Sequence, residues 1–200
     1  MNIDYANNLL HDASVDGDLN KVRFAIEKLN AEIDSLDGYA LYQACKNGHF
    51  YVMQYLISHG ADPRANGGRA FFWACELFNF EIVDYFFDYK LVTDKMFKSG
   101  LESLLTKHEF EFAKHFITKR NQFESDALVA LITACEFSIP EFVKELLDLG
   151  VDPDSVLELK LNIDDEVNDI LLAYSNHKKL GSSRKEPDQQ NTIIVRDPSL

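Results

Sequence analysis

The chain has 200 residues, of which 46% are hydrophobic and 12% aromatic, which is enough apolar material for one sizeable core. Its net charge of −13 disfavours direct binding to the phosphate backbone of nucleic acids. No run approaches the ~18 apolar residues that a membrane span requires, and the first residues lack the basic and apolar regions of a secretory signal. These features predict a cytoplasmic protein without a membrane segment.

The chain repeats itself with a period of 30 residues. Successive copies keep one register, shown by the small or apolar residues Ala44, Ala74, Leu104 and Ala134. An earlier copy around Gly17 fits the same pattern with a shift of one residue. Five copies in this register predict a stack of similar units, each of which contacts mainly its neighbours.

Each copy predicts two short helices separated by a turn. In the second copy, the apolar residues fall at helical spacing in two groups, namely Leu41, Ala44 and Cys45, then Val52, Met53, Leu56 and Ile57. Gly48 and Gly60 follow these groups, where the left-handed conformation of glycine commonly ends a helix. Such short helices are unstable alone in water, so they require stacking.

The end of the repeats is predicted to be a capping element, and the last residues a tail. Residues 151–176 fill a sixth position incompletely, and within them residues 162–176 predict one helix with Asn162 or Asp164 as its N-cap. We therefore expect a repeat domain over residues 5–176. Residues 177–200 begin with a polar stretch of low apolar content, which predicts a flexible tail.

The segment ALYQACKNGHFYVMQYLISHGADPRAN, residues 40–66, resembles an ankyrin repeat. The resemblance extends over about residues 5–176 and implies an all-α solenoid of helix-turn-helix repeats with a C-terminal capping helix. The period of 30 residues is shorter than the family's period of about 33, so the projecting turns should be reduced to tight ones. Short, divergent repeats of this kind resemble those in ankyrin proteins of large DNA viruses and bacteriophages.

Two departures from the family pattern bear on stability. The family's Thr-Pro-Leu-His tetrapeptide appears as Tyr39-Ala40-Leu41-Tyr42 and then as Arg69-Ala70-Phe71-Phe72, so the hydrogen bonds by which its Thr and His join neighbouring repeats are not expected here. The later copies also replace Gly48 by larger residues, namely Phe78, His108 and Ser138. Those copies should end their first helix differently, or carry a strain of ~1 kcal/mol per residue.

No catalytic or metal-binding pattern emerges. Cys45, Cys75 and Cys135 share one position in the repeat, which indicates buried small residues rather than ligands or disulfide partners. The six histidines show no ligand spacing, and the acidic residues are dispersed. We therefore expect neither an enzyme nor a cofactor.

The resemblance implies protein binding through the concave surface of the stacked first helices. Exposed aromatic side chains and arginine are typical interface anchors, and the candidate partner-binding residues are Tyr39, Lys46, Asn47, Arg69, Glu76, Leu77 and Phe78. The expected function is a non-catalytic protein-interaction module, as a monomer or weak oligomer. The alternative is an acidic viral or phage inhibitor that occupies the basic nucleic-acid-binding groove of a host defence enzyme, in which case it acts in the host cytoplasm.

Overall fold

The computed structural model describes residues 2–120 and 122–182, so residues 183–200 of the predicted tail lie outside the described residues. Within the described ranges every regular element is a helix. In chain order the twelve helices are α1 (Ile3–Asp16), α2 (Leu19–Glu27), α3 (Ser35–Lys46), α4 (Phe50–Ser58), α5 (Ala65–Glu76), α6 (Phe80–Asp88), α7 (Asp94–Thr106), α8 (Phe110–Lys119), α9 (Phe123–Glu136), α10 (Pro140–Asp148), α11 (Asp154–Leu157) and α12 (Asp165–Ser182).

Ten of these helices form five antiparallel pairs, from α1 and α2 to α9 and α10. The first helix of each pair packs against the first helices before and after it, and the second helices form a separate layer. From α1 to α7 the first helices contact each other more closely than the second helices do. The first helices therefore form the more closely packed side of the stack, which is called its concave side below, and the prediction of an all-α solenoid is confirmed.

The sequence period becomes a structural period in the core. Ala44, Ala74, Leu104 and Ala134 are all fully buried at the equivalent place of successive repeats. Large aromatic side chains fill the space between repeats three and four, where the buried ring of Phe116 is surrounded by other phenylalanines, with centroids 4.8 to 6.4 Å from its own: Phe71, Phe87, Phe97 and Phe112. Burial of each such ring against a neighbouring repeat stabilises helices that are only nine to fourteen residues long.

The first residues of α3 and α5 form tight turns, as the short period predicts. Three consecutive residues are left-handed in each, with φ of 53°, 56° and 75° at Leu36, Asp37 and Gly38, and similar values at residues 66–68. Gly68 also lies so close to Met96 that a Cβ there would be 2.4 Å from its Cγ atom. These turns replace a projecting loop with a short connection against the next repeat.

The larger residues that replace Gly48 adopt the same left-handed conformation as that glycine. The φ angles are 55° at Phe78, 59° at His108 and 53° at Ser138, compared with 74° at Gly48. Of the two expectations, a different helix end or a strained one, the structure therefore has the strained one. Neighbouring packing holds these residues in a conformation that costs about 1 to 2 kcal/mol for a residue with a side chain.

The cap consists of two helices rather than one. The short helix α11 precedes α12, and the carboxylate of Asp164 accepts a hydrogen bond from the Val167 amide at 2.8 Å, which identifies Asp164 as the N-cap. Helix α12 also continues to Ser182, beyond residue 176, where the predicted domain ends. Lys178 pairs with Asp152 at 2.8 Å, so its side chain joins this added turn to the loop before α11.

We predict that His108→Gly stabilises the protein, because glycine adopts a φ of 59° without steric cost. The His108 side chain is exposed, so little packing is lost. Relief of about 1 to 2 kcal/mol of strain outweighs the larger entropy of glycine in the unfolded chain, so the free energy of unfolding in urea should rise by about 0.5 to 1 kcal/mol. Gly48→Ala at the equivalent position should lower it by about 1 kcal/mol. A destabilised His108→Gly variant would show that the ring contributes more than the backbone strain costs.

Candidate protein-binding surface

The concave side of repeats two and three carries a compact group of aromatic and basic side chains on α3 and α5. Arg69 lies with its guanidinium carbon 4.2 Å from the centroid of the Tyr42 ring, and the Lys46 ammonium lies 4.8 Å from the centroid of Trp73. The rings of Tyr39 and Tyr42 meet edge to face at 5.9 Å, and those of Tyr42 and Trp73 are 6.3 Å apart. These five residues are called the aromatic–cation cluster below.

The repeat itself explains why these residues meet. Tyr42 occupies the last position of the tetrapeptide that begins α3, and Arg69 occupies the first position of the equivalent tetrapeptide in the next repeat. The two inner residues of each tetrapeptide are buried, and these are Ala40, Leu41, Ala70 and Phe71. The outer residue Tyr42 is buried as well, and it contacts Arg69 of the neighbouring repeat. This cation–π contact, worth about 0.5 to 1 kcal/mol, joins the two repeats. It replaces the hydrogen bonds that the Thr and His of the family tetrapeptide would form there.

Glu76 and Phe78 belong to a different group, one repeat further along. The Glu76 carboxylate pairs with the Lys107 ammonium at 2.6 Å and accepts a short hydrogen bond from the Ser103 hydroxyl. Lys107 also lies 5.3 Å from the centroid of the Phe78 ring. Burial disfavours the charged form of Glu76, but Lys107 and Ser103 outweigh that effect and hold the pKa of this carboxyl below its usual value. Glu76 is therefore satisfied within the chain.

Phe78 differs from its predicted role as an exposed anchor beside Tyr39 and Arg69. Its ring is half-buried and lies 6.4 Å from the ring of Phe112 on the second helix of the following repeat. The left-handed backbone of Phe78 directs the side chain to the turn between α5 and α6. The sequence places Phe78 at the end of the first helix, in the position of Gly48, but it does not show that the ring turns towards the following repeat.

The remaining two candidates lie at helix ends. Asn47 is the C-cap of α3, and its side-chain amide donates a hydrogen bond to the Gln43 carbonyl at 2.9 Å. Leu77 is the C-cap of α5 and is 51% exposed. Three of the seven predicted residues, Tyr39, Lys46 and Arg69, thus share one cluster, whereas the others lie at the ends of the two first helices or in the turn that follows.

Sequence reasoning missed the two rings at the centre of the cluster. Tyr42 and Trp73 fall among many aromatic residues in repeats two and three, most of which are core residues, and nothing in their spacing alone separates them. The usable signal is the pairing of tetrapeptide positions between neighbouring repeats, which brings Arg69 to Tyr42. Phe72 extends the cluster, since its ring meets Trp73 edge to face at 6.1 Å.

A second aromatic surface lies on the opposite side of the same repeats. Tyr51, Tyr55, Tyr85 and Tyr89 line a shallow groove of about 420 Å³ between α4 and α6, with Tyr51 72% and Tyr89 62% exposed. Helix α4 carries no charged residue, although 26% of the chain is charged. Interfaces share this depletion of charge and enrichment in tyrosine. Both faces of repeats two and three therefore present aromatic side chains.

A cleft of about 460 Å³ at the ends of α6 and α8 has a partly basic lining that includes Lys90, Lys119 and Arg120. Lys119 pairs with Asp84 at 3.1 Å, and Arg120 pairs with the buried carboxylate of Asp126 at 3.5 Å. Burial raises the pKa of Asp126, which Arg120 partly offsets. Lys119 and Arg120 are therefore paired with acids of the chain itself. None of the seven predicted residues lines the cleft.

The cysteines are buried in the core. Cys45, Cys75 and Cys135 are 0 to 1% exposed, and all three are free thiols. Burial raises the pKa of each thiol, to about 12 at Cys135. Since the thiolate is the reactive form, these side chains act as small apolar residues. Within residues 2–120 and 122–182, no group of three or more His, Cys, Asp or Glu side chains could hold a metal ion.

None of the helices in the described ranges has both the length and the apolar character that crossing a bilayer demands.

Comparison with known proteins finds a similarity over part of the chain. Residues 10–96 match the family model described as ankyrin repeats (3 copies). A palmitoyltransferase, AKR1 of Lachancea kluyveri, is 35% identical over 65 residues, which cover 31% of this chain and 9% of that protein. The match therefore concerns a small part of the relative and carries no information about catalysis in this chain. No solved structure matches the chain.

We predict that the folded protein resists thiol reagents. At pH 8, a reagent such as dithiobisnitrobenzoate should label well under one thiol per chain over the time in which all three react in urea. The physical reason is the combination of full burial and raised pKa. Rapid labelling of one thiol without denaturant would show that its repeat opens locally.

Proposed function

We propose, from the premise that residues 10–96 of this chain are ankyrin repeats, that it is a non-catalytic module that binds a partner protein through its concave surface. The observation that carries the proposal is the aromatic–cation cluster on α3 and α5, where Arg69 and Lys46 lie over the rings of Tyr42 and Trp73. Aromatic and arginine side chains are the residues that most often dominate binding energy.

The stacked helices favour binding because they fix these side chains before a partner arrives. Tyr42 is only 8% exposed, and its contacts with Tyr39, Arg69 and Trp73 limit the rotation of all four side chains. Ordering a free side chain at an interface costs about 0.5 to 1.5 kcal/mol. A partner that docks on this cluster avoids much of that cost, so its contacts contribute more fully to affinity.

The proposal also covers the cellular compartment and the oligomeric state. Three buried free thiols are typical of proteins in a reducing compartment, and we propose the cytoplasm. We further propose that the chain acts as a monomer or weak oligomer, because the stacked repeats bury their aromatic core within one chain.

We predict that Tyr39→Ala/Arg69→Ala weakens retention of a specific partner by about tenfold or more, because it removes two anchors that meet at Tyr42. The measurement is quantitative capture from lysate of the source cells on the immobilised full chain, followed by titration of the captured partner. Circular dichroism should confirm that the variant keeps its helices.

The matched control is Tyr51→Ala/Tyr89→Ala on the tyrosine groove of the outer face, where both side chains are largely exposed. This variant should keep the affinity within about twofold. Loss of the partner from the control variant and not from the concave variant would place the binding surface on α4 and α6 and overturn the proposal.

The second candidate function is an acidic inhibitor, of viral or phage type, that occupies a basic groove of a host defence enzyme. The net charge of −13 supports it. However, several carboxylates are already paired within the chain, including Glu76 with Lys107, Asp84 with Lys119 and Asp152 with Lys178. We therefore favour the concave module.

Salt separates these two candidates. An acidic inhibitor on a basic groove should lose affinity steeply between about 0.05 and 0.2 M salt, because exposed charges are screened over about 10 Å at 0.1 M. Binding anchored on the cluster should decline less steeply over that range, because only two cations contribute there beside the aromatic rings. The measurement is isothermal titration of the captured partner at three salt concentrations, and a steep decline would favour the inhibitor.

A further inference from the structure

The two cations of the aromatic–cation cluster have no acidic partner among the described residues. Arg69 and Lys46 contact rings, and no carboxylate in residues 2–120 and 122–182 lies within 4.0 Å of either charged group. The chain has 33 acidic residues and 20 Lys and Arg residues, so these two cations lack an acidic partner although carboxylates are numerous. The cluster thus holds two unpaired cations side by side, both in contact with the ring of Tyr42.

Two other basic side chains, one in α7 and one directly after it, are paired. Lys98 lies 3.9 Å from Glu102 on α7, and Lys107 lies 2.6 Å from Glu76. The nearest acids of the preceding turn are engaged elsewhere, since the Asp37 carboxylate accepts a hydrogen bond from the Asn66 amide. The cluster is therefore a local positive, aromatic site on an otherwise acidic protein.

The geometry leaves both cations able to bind an anion. Cation–π contact uses the face of the guanidinium of Arg69 and leaves its N–H donors at the edge. A carboxylate can accept two of those donors in the plane of the guanidinium. The Arg69 side chain is exposed, and that of Lys46 is half-buried. Tyr39 and Trp73, also half-buried, offer aromatic surface beside the two charges.

We propose that this cluster recognises an acidic segment of the partner protein, in which carboxylates bind Arg69 and Lys46 and an adjacent apolar or aromatic side chain packs on Tyr39 and Trp73. The inference rests on the proposed function, since it names the chemistry of the segment that the concave surface takes. Repulsion from the net charge of −13 acts over the whole molecule, but it is screened over about 8 Å at physiological salt. The contacts between the acidic segment and the two cations would be shorter than this screening length.

A peptide segment fits this site better than a nucleic acid does. The site has two unpaired cations rather than an extended basic track, whereas a phosphate backbone requires many contacts along its length. The rest of the chain would repel such a backbone. An acidic peptide needs only a few carboxylates in register with the two cations.

The test is selection from a displayed library of random 12-residue peptides on the immobilised full chain. We expect the selected peptides to be enriched in Asp and Glu next to an apolar or aromatic residue. One synthetic peptide from the selection should then bind in solution, with a change in the emission of Trp73, which is the single tryptophan of the chain. Its affinity should fall about tenfold or more in Lys46→Gln/Arg69→Gln, and similarly when its acids are replaced by amides.

The matched control is Lys28→Gln/Lys144→Gln, which also removes two positive charges. These charges lie at exposed positions directly after α2 and within α10. It should leave the peptide's affinity within about twofold, since distant charges are screened. Equal weakening in the two variants would mean that net charge alone matters, and it would overturn the inference.

Other outcomes separate the inference from the proposed function. Neutral or basic peptides that bind wild type and Lys46→Gln/Arg69→Gln equally, but lose affinity in Trp73→Ala, would overturn the acidic segment and leave the concave module intact. Peptides whose affinity is also unchanged by Trp73→Ala would overturn both the inference and the proposed function. Tighter binding of a single-stranded oligonucleotide than of any peptide would do the same. A selection without acidic enrichment also overturns the inference.

Discussion

Burial between neighbouring repeats is the interaction on which the structure depends. Helices of nine to fourteen residues, such as α6 and α9, have too few internal hydrogen bonds to persist alone in water. Their stability comes from apolar faces that close against a neighbouring pair, as the ring of Phe116 does against Phe71 and Phe87 of the preceding pair. Every surface feature of the molecule is built on helices that are held in place in this way.

The contacts that join repeats also create the candidate binding surface. The His49 imidazole donates from Nε2 to the Val15 carbonyl of the preceding repeat at 2.9 Å, and Arg69 lies over the ring of Tyr42. Polar and cation–π contacts at the edge of the stack thus leave side chains ordered and partly exposed. The aromatic–cation cluster is both a link between repeats two and three and a surface that a partner can reach.

The periodic part of the molecule could be read from the sequence, because a strict register leaves one consistent arrangement. Cys45, Cys75 and Cys135 were expected to share a buried environment, and they do. Individual side-chain directions were harder to predict. Phe78 was expected to be an exposed anchor, but its left-handed backbone turns the ring towards Phe112, where it is half-buried. Tyr42 escaped notice because its role depends on Arg69 in the next repeat, and a single repeat does not contain that pairing.

The tight turns at the start of α3 and α5 affect how the protein can change during evolution. Long loops on a repeat scaffold can vary freely, since few packing contacts depend on them. The proposed recognition depends instead on helix residues such as Tyr42 and Trp73, which also hold adjacent repeats together. A substitution that altered ligand preference would disturb the stacking at the same time. New specificity would therefore require paired changes in adjacent repeats, which slows divergence of this surface.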